Sequence, residues 1–266
     1  MDYRERLKNH KRIVIKIGTS TVTYPNGRIN LKRLEQLAWV LADLKNQGKD
    51  IVLVSSGAMG VGSAALGFTS RPTEIQFKQA AASVGQASLM QIYKNFFNEY
   101  NQNVAQILLT KEDVKDDGRK DTVARTFETL FGMDIIPIVN NNDAVTTYEI
   151  EFSDNDSLSA VVANIVHADL LVLLTDIDAL YNSNPRINPD AKRISVVEKV
   201  TPEIEAMAGD KGSTFSVGGM ATKICAAKMC EETGTDMVIA MGEDPRLLHN
   251  IVDGDDIGTL FVGKGR

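Results

Sequence analysis

Ser153-Asp154-Asn155-Asp156-Ser157-Leu158-Ser159-Ala160 sets two carboxylates and an amide in consecutive positions, then enters a small-residue apolar run of Leu158, Ala160, Val161, Val162, Ala163, Ile165 and Val166. The run predicts a helix packed on a sheet, with Asp154 or Ser153 at its N-cap. First-turn N–H groups and the helix dipole favour acceptors and negative charge there. Alone, the stretch is equally a plain capped helix start, because Asp and Asn are common caps. Its context changes the balance. On either side, short β-branched runs alternate with longer helical patterns, the signature of an α/β fold with a mostly parallel sheet covered by helices. The strand candidates are Ile13–Ile17, Ile51–Val54, Val104–Leu109, Ile135–Val139, Leu170–Leu174, Met237–Ala240 and Thr259–Val262. Their near-continuous apolarity suits strands buried on both faces.

Leu31, Leu34, Leu37, Ala38, Leu41 and Leu44 recur at helical spacing, with Gly48 as a stop. A longer helical stretch is expected from Thr73 to Tyr100, interrupted at Gly85. A shorter one is expected over Thr201–Ala208, with Thr201 as N-cap and Pro202 at the first helical position. Asp176–Lys192 and Gly209–Gly219 read as loops. No internal repeat or interdomain linker stands out, so one domain over 1–266 is expected.

At 266 residues, with 43% hydrophobic and 24% charged residues, the chain has the composition of a globular protein with a sizeable core. A net charge of −6 argues against a nucleic-acid or acidic-membrane surface. An anionic ligand must therefore meet a few local lysines, arginines and helix N-termini. Cys225 and Cys230 are five apart on an expected helix and share no face, so neither a disulfide nor a zinc site is indicated, and a reducing cytoplasm is expected. His10, His167 and His249 are scattered, which disfavours a histidine metal site. No apolar run reaches membrane-spanning length.

The strand ends lead into Lys16-Ile17-Gly18-Thr19-Ser20, Ser55-Ser56-Gly57-Ala58, Asn140-Asn141-Asn142-Asp143-Ala144 and Thr175-Asp176. In an open α/β sheet, ligands bind at the carboxyl ends of the strands. Lys16 beside Gly18 could form a phosphate cradle; alone it reads better as an edge-strand lysine. Ser56-Gly57-Ala58-Met59-Gly60 could be an anion-binding nest or a tight turn without a ligand. The chain contains no Walker A loop, no G-x-G-x-x-G and no G-x-S-x-G. Gly218-Gly219-Met220-Ala221-Thr222-Lys223 before a helix offers a second phosphate site, or else a glycine loop with an exposed lysine. Two lysines from different elements can bracket a transferring phosphoryl group, whose catalysis is mainly positioning and electrostatics, and a carboxylate such as Asp156 can hold both.

Read together and in order, Val14–Ser20, Ser56–Ala58, Pro137–Val145, Asp154–Ala160, Leu174–Asp176 and Gly218–Lys223 resemble the amino acid kinase family, and within it the branch acting on glutamate. The likeness runs nearly end to end. It implies a three-layer α/β/α sandwich around a mostly parallel open sheet of about eight strands, with the amino-acid site in the N-terminal part and the nucleotide site in the C-terminal part. It implies a cytoplasmic enzyme that phosphorylates the L-glutamate side-chain carboxylate with ATP, giving L-glutamyl 5-phosphate, the first step of proline biosynthesis. Lys16, Lys223 and Asp156 match catalytic positions. Ser56, Asn140, Asp143, Asp154 and Asn155 match substrate-binding positions. Lys16, Gly18, Thr175, Asp176, Val217, Gly218, Gly219, Met220, Ala221, Thr222 and Lys223 match nucleotide-binding positions. The resemblance further implies Mg2+ bridging the ATP phosphates without a dedicated protein cage, a homo-oligomer (dimer or tetramer), feedback by L-proline and a functional link to glutamyl-5-phosphate reductase.

The chain departs from the family at Asn141, where a Glu is usual, and at Val217, where a Thr is common. It stops at Arg266, so the C-terminal PUA domain of many bacterial members is not expected. Two alternatives remain: a sibling kinase acting on N-acetylglutamate, aspartate, carbamate or UMP, and a non-catalytic amino-acid sensor. The serine turn and the Asp-Asn-Asp run favour glutamate over the siblings, and the two retained lysines argue against a sensor.

Overall fold

Apolar β-branched runs are stable as strands when both faces are covered, and in the computed structural model each of the seven predicted runs becomes one. The structure describes residues 3–70, 72–146, 154–185, 187–208 and 219–264. Its strands are β1 (Arg12–Ile17), β2 (Asp50–Ser55), β3 (Asn103–Leu109), β4 (Ile135–Asn141), β5 (Leu170–Thr175), a short β6 (Val196–Val197), β7 (Asp236–Met241) and β8 (Thr259–Phe261). The helices are α1 (Thr19–Val22), α2 (Leu31–Asn46), α3 (Ala58–Ala65), α4 (Ile75–Asn98), α5 (Lys111–Lys115), α6 (Asp117–Gly132), α7 (Asn155–Ile165), α8 (Pro202–Ala208), α9 (Met220–Thr233) and α10 (Leu247–Val252).

Among the described residues, eight strands form one sheet in the order β3-β4-β2-β1-β5-β7-β8-β6. All pairings are parallel except β7 with β8. Strand alternation divides the core into two layers. Ile13, Ile15 and Ile17 pack with Leu34, Leu37 and Leu41 of α2 and Leu89, Tyr93 and Phe97 of α4. Val14, Val52 and Val54 pack on the other face with Leu158 and Val162 of α7, Phe127 of α6 and Ala226 and Ala227 of α9. This is the three-layer α/β/α arrangement expected. Each fully buried Leu, Ile or Val contributes about 1.5–3 kcal/mol of transfer free energy, so both layers are needed to hold the sheet.

Two local expectations are corrected. Lys16 is not on an edge, because β1 lies between β2 and β5. The same alternation that buries Val14 against α7 and α9 carries Lys16 to that face. Gly85 does not interrupt α4. The helix runs through it, and the missing side chain lets α3 and α4 touch backbone to backbone. A Cβ at Gly85 would stand 1.8 Å from the Ala58 carbonyl oxygen, and one at Gly62 would stand 1.7 Å from that of Ala81.

Candidate active site

β2, β1 and β5 are adjacent and parallel, so Ser55, Ile17 and Thr175 end side by side. The chain runs from β1 to β2 on one side and continues beyond β5 on the other. The polar turns meet outside that reversal, the place where open α/β sheets bind ligands.

Asp154 caps α7 through its carboxylate, which accepts from the Ser157 N–H at 2.8 Å. The cap fixes the first turn and sends Asp156 inward, where it has no solvent exposure. Lys16 Nζ stands 2.6 Å from one Asp156 oxygen and Lys223 Nζ 3.1 Å from the other. Thr222 Oγ1 donates to the second oxygen at 2.9 Å. Lys223 comes from the first turn of α9, whose N-cap is Gly219, and at 1% exposure it departs from the alternative reading of an exposed helix lysine. Lys16, 7% exposed, lies over Gly18, where a Cβ would come 3.9 Å from its ammonium nitrogen. Burial pushes the Asp156 carboxyl upward in pKa, but the two ammonium groups outweigh it and hold the acid below its ordinary value. Two lysines sharing one carboxylate leave a buried cluster with one formal positive charge to spare, suited to an anion at the strand ends.

A second group adjoins it through the Asn155–Asp156 peptide. Gly57, at φ 99°, makes the turn from β2 into α3, and a side chain there would press into Val22. Next to it, Asn155 Nδ2 donates toward Ser56 Oγ at 2.8 Å, the Ser55 carbonyl at 3.0 Å and Asn140 Oδ1 at 3.2 Å. Asn140 Nδ2 donates to Gln86 Oε1 on α4 at 2.9 Å. Asn141 Nδ2 donates to Asp143 at 2.6 Å, while Asn141 Oδ1 is buried without a partner. A cavity of about 280 Å3 opens beside them, its lining including Gln86, Gln106, Asn141, Asn142 and Asp143.

Lys16, Asp156, Thr222 and Lys223 are therefore brought into contact, as are Ser56, Asn140 and Asn155. Asp143 borders the cavity, and Asp154 serves as the helix cap. Thr175 is buried at the end of β5 and donates to exposed Asp176 at 3.0 Å, next to Gly18, whose N–H donates to the Leu174 carbonyl. Gly219, Met220 and Ala221 form the entry to α9. Val217 and Gly218 lie outside the described residues. Gln86 escaped the sequence reading, since a glutamine on a polar-faced helix gives no signal of the asparagine it meets. Among the described residues, no group of three or more His, Cys, Asp or Glu side chains could hold a metal ion, and no helix is long and apolar enough to cross a membrane.

The model of the amino acid kinase family matches residues 11–241. The chain is 51% identical over 265 residues to a glutamate 5-kinase of Clostridium perfringens, covering 98% of each chain. It is 51% identical to one of Listeria monocytogenes, covering 98% of this chain and 96% of the relative, and 48% identical to one of Enterococcus faecalis, covering 98% of both. Among solved structures, a carbamate kinase from Giardia lamblia bound to AMP-PNP aligns over 97% of this chain and 100% of its own at a TM-score of 0.68 and 18% identity. A UMP kinase from Ureaplasma parvum aligns over 95% and 99% at a TM-score of 0.65 and 15% identity. At such identities the structural likeness concerns the fold.

Proposed function

The chain belongs to the amino acid kinase family, and on that premise we propose that it transfers the γ-phosphoryl group of ATP to the side-chain carboxylate of L-glutamate, as the first step of proline biosynthesis. The observation that carries the mechanism is the fully buried Asp156 held between Lys16 and Lys223. A glutamate side-chain carboxylate is ionised at neutral pH, so the nucleophile needs no base. Its obstacle is the repulsion between a carboxylate and a polyphosphate. One carboxylate oxygen attacks Pγ, a new P–O bond forms, the bond from Pγ to the β–γ bridging oxygen breaks, and ADP leaves with that electron pair. Lys16 and Lys223 approach the equatorial oxygens of the transferring group from two elements, and Asp156 holds their separation. Thr222 adds an anchor on Asp156 from the same turn as Lys223.

In this scheme Ser56, Asn140, Asp143 and Asn155 bind glutamate, with Asp154 shaping their loop. Gly18, Thr175, Asp176 and the 217–223 stretch bind the nucleotide. The N-terminal part thus serves the amino acid and the C-terminal part serves ATP. Mg2+ would arrive on the ATP phosphates, an assignment that suits an ion which keeps several waters and few protein ligands. We extend the proposal to a cytoplasmic homo-oligomer, to competition by L-proline for the glutamate loops, and to a reductase that consumes the acyl phosphate. Free Cys225 and Cys230 suit a reducing compartment; burial and nearby Asp236 push the Cys230 thiol up to about 12. ADP release with and without L-glutamate, against a panel of N-acetylglutamate, aspartate, carbamate and UMP, tests the reading. Turnover that ignores L-glutamate refutes it.

A further inference from the structure

Between β3 and β4 the chain lays α5 and α6 against the flank of α7. Lys111 and Lys115 come from α5 and Lys120 from the first turn of α6. On α7, Ser157, Val161 and Asn164 are spaced by four and three residues and share a face. Together with Val114 these side chains line a cavity of about 350 Å3. Val114 and Val161 pack on the core layer, which anchors its apolar wall in the fold. Asp156, one residue before Ser157, points the other way to Lys16 and Lys223, so the cavity stands apart from the catalytic cluster.

The charge of this space runs against that of the chain. The protein carries −6 overall, yet among the described residues no carboxylate lines the cavity. Acids are close in sequence, but they are used elsewhere. Asp113 accepts from the Thr110 N–H at 2.8 Å and from Arg119 at 3.2 Å, Asp116 caps α6 through the Arg119 N–H, and Asp154 caps α7. Glu112, Asp117 and Asp121 are exposed. Glu112 stands three residues before Lys115, and Asp116 and Asp117 stand four and three before Lys120, spacings at which helical ion pairs form. None of those pairs is made. Among the described residues, the side chains of Lys111, Lys115 and Lys120 have no hydrogen-bond or ion-pair partner. Lys111 and Lys115, four apart on one helix, repel each other, and an anion between them would relieve that repulsion.

We propose that this cavity binds a diphosphate group, carried either as the bare anion or by a nucleotide. Lysine meets phosphate as a point charge, whereas planar carboxylates are held best by the arginine fork, and no arginine lines the space. Three ammonium groups suit more charge than the about 1.5–2 units of a single phosphate group. Ser157 and Asn164 add a hydroxyl and an amide able to donate to phosphate oxygens. The volume falls at the lower end of small-molecule pockets, with room for part of a carrier beside the phosphates.

Calorimetric titration in magnesium-free buffer tests the site and its occupant. ADP titrated into the wild type should fill two sites per chain if the cavity takes a nucleotide. If it takes the bare anion, ADP should fill one, and pyrophosphate should then bind the ADP-saturated protein. In Lys115→Gln/Lys120→Gln the additional site should weaken at least about tenfold for each lysine removed, the effect of losing a charge-assisted contact. ADP affinity at the catalytic site and the unfolding midpoint should stay at wild-type values, because Gln keeps the helix preference of Lys. Should the double variant fail to fold, Lys115→Gln alone reads the same site. Lys94→Gln/Lys192→Gln removes two exposed lysines elsewhere and should change nothing. A single ADP site with no pyrophosphate binding overturns the proposal, as does an equal loss in the Lys94/Lys192 control, which would show charge attraction without a site.

Discussion

Asp156→Asn preserves shape and removes the charge that two ammonium groups share. At an effective dielectric of about 20, contacts of 2.6 and 3.1 Å correspond to about 6 and 5 kcal/mol of gross attraction. Much of that offsets the desolvation of three buried groups. Removing one partner of a buried ion pair costs about 3–5 kcal/mol, because the other charge stays behind; here two stay behind. For a chain of this size that lowers the unfolding midpoint by roughly 6–20 °C, at about 2–4 °C per kcal/mol. Turnover should fall at least about 100-fold as the lysines lose their alignment. Calorimetry at neutral pH with an ADP-release assay measures both. A pH series adds a second check. A carboxyl whose folded pKa is depressed stabilises the fold above its unfolded value, about 3.9, and that contribution is lost as pH falls through the folded value. Wild type should thus lose stability toward acid more steeply than Asp156→Asn. A variant with the wild-type midpoint and near-normal kcat would refute the shared-carboxylate scheme.

Lys16→Ala and Lys223→Ala should each lower kcat by about 100- to 1000-fold, measured by ADP release; near-normal turnover in either removes the two-lysine mechanism. Asn155→Ala should raise KM for glutamate more than KM for ATP, and equal shifts would mean the two ends of the site are misassigned. Gly85→Ala should destabilise by at least about 1–3 kcal/mol in urea titrations, because the new Cβ meets the Ala58 carbonyl; an unchanged midpoint would show that the helices part freely. Asp236, at the amino end of β7, accepts from Arg6, His10 and the Gly263 N–H. Burial raises its pKa, these partners overcome that, and the net shift is downward, so Asp236→Asn should flatten the acid side of the stability profile without changing kcat. A fall in kcat would show that the two ends of the sheet communicate.

The strands were legible because burial on both faces demands continuous apolar runs, and every such run formed a strand at nearly its expected bounds. The α7 cap was legible because Asp before an apolar helix has one common use. Sheet order was not, since pairing depends on which helix covers which face; hence Lys16 alone read as an edge residue. The polar α6 was missed because its apolar contacts are few and widely spaced, with Phe127 and Phe131 as its buried residues. Gly85 misled for a different reason. A glycine that weakens a helix locally is also the residue that lets two helices touch, and only the partner helix decides which effect prevails. Within the site, Lys16, Asp156 and Lys223 stood out by residue type, whereas the link from Asn140 to Gln86 joins residues 54 positions apart and left no trace.

The central place of β1 has a consequence for synthesis. A ribosome delivers β1 and β2 early, but the partner on the other side of β1 is β5, complete only at Thr175. At about 5–20 residues per second, the interval from Ser55 to Thr175 is roughly 6–24 s. Throughout it, this buried, largely apolar strand of the nascent sheet has one row of unpaired N–H and C=O groups, the arrangement that recruits neighbouring chains. A lysine inside that row, Lys16, is the kind of interruption that keeps such temporary edges from pairing with one another. The same ammonium group can therefore guard the nascent chain before Asp156 folds against it.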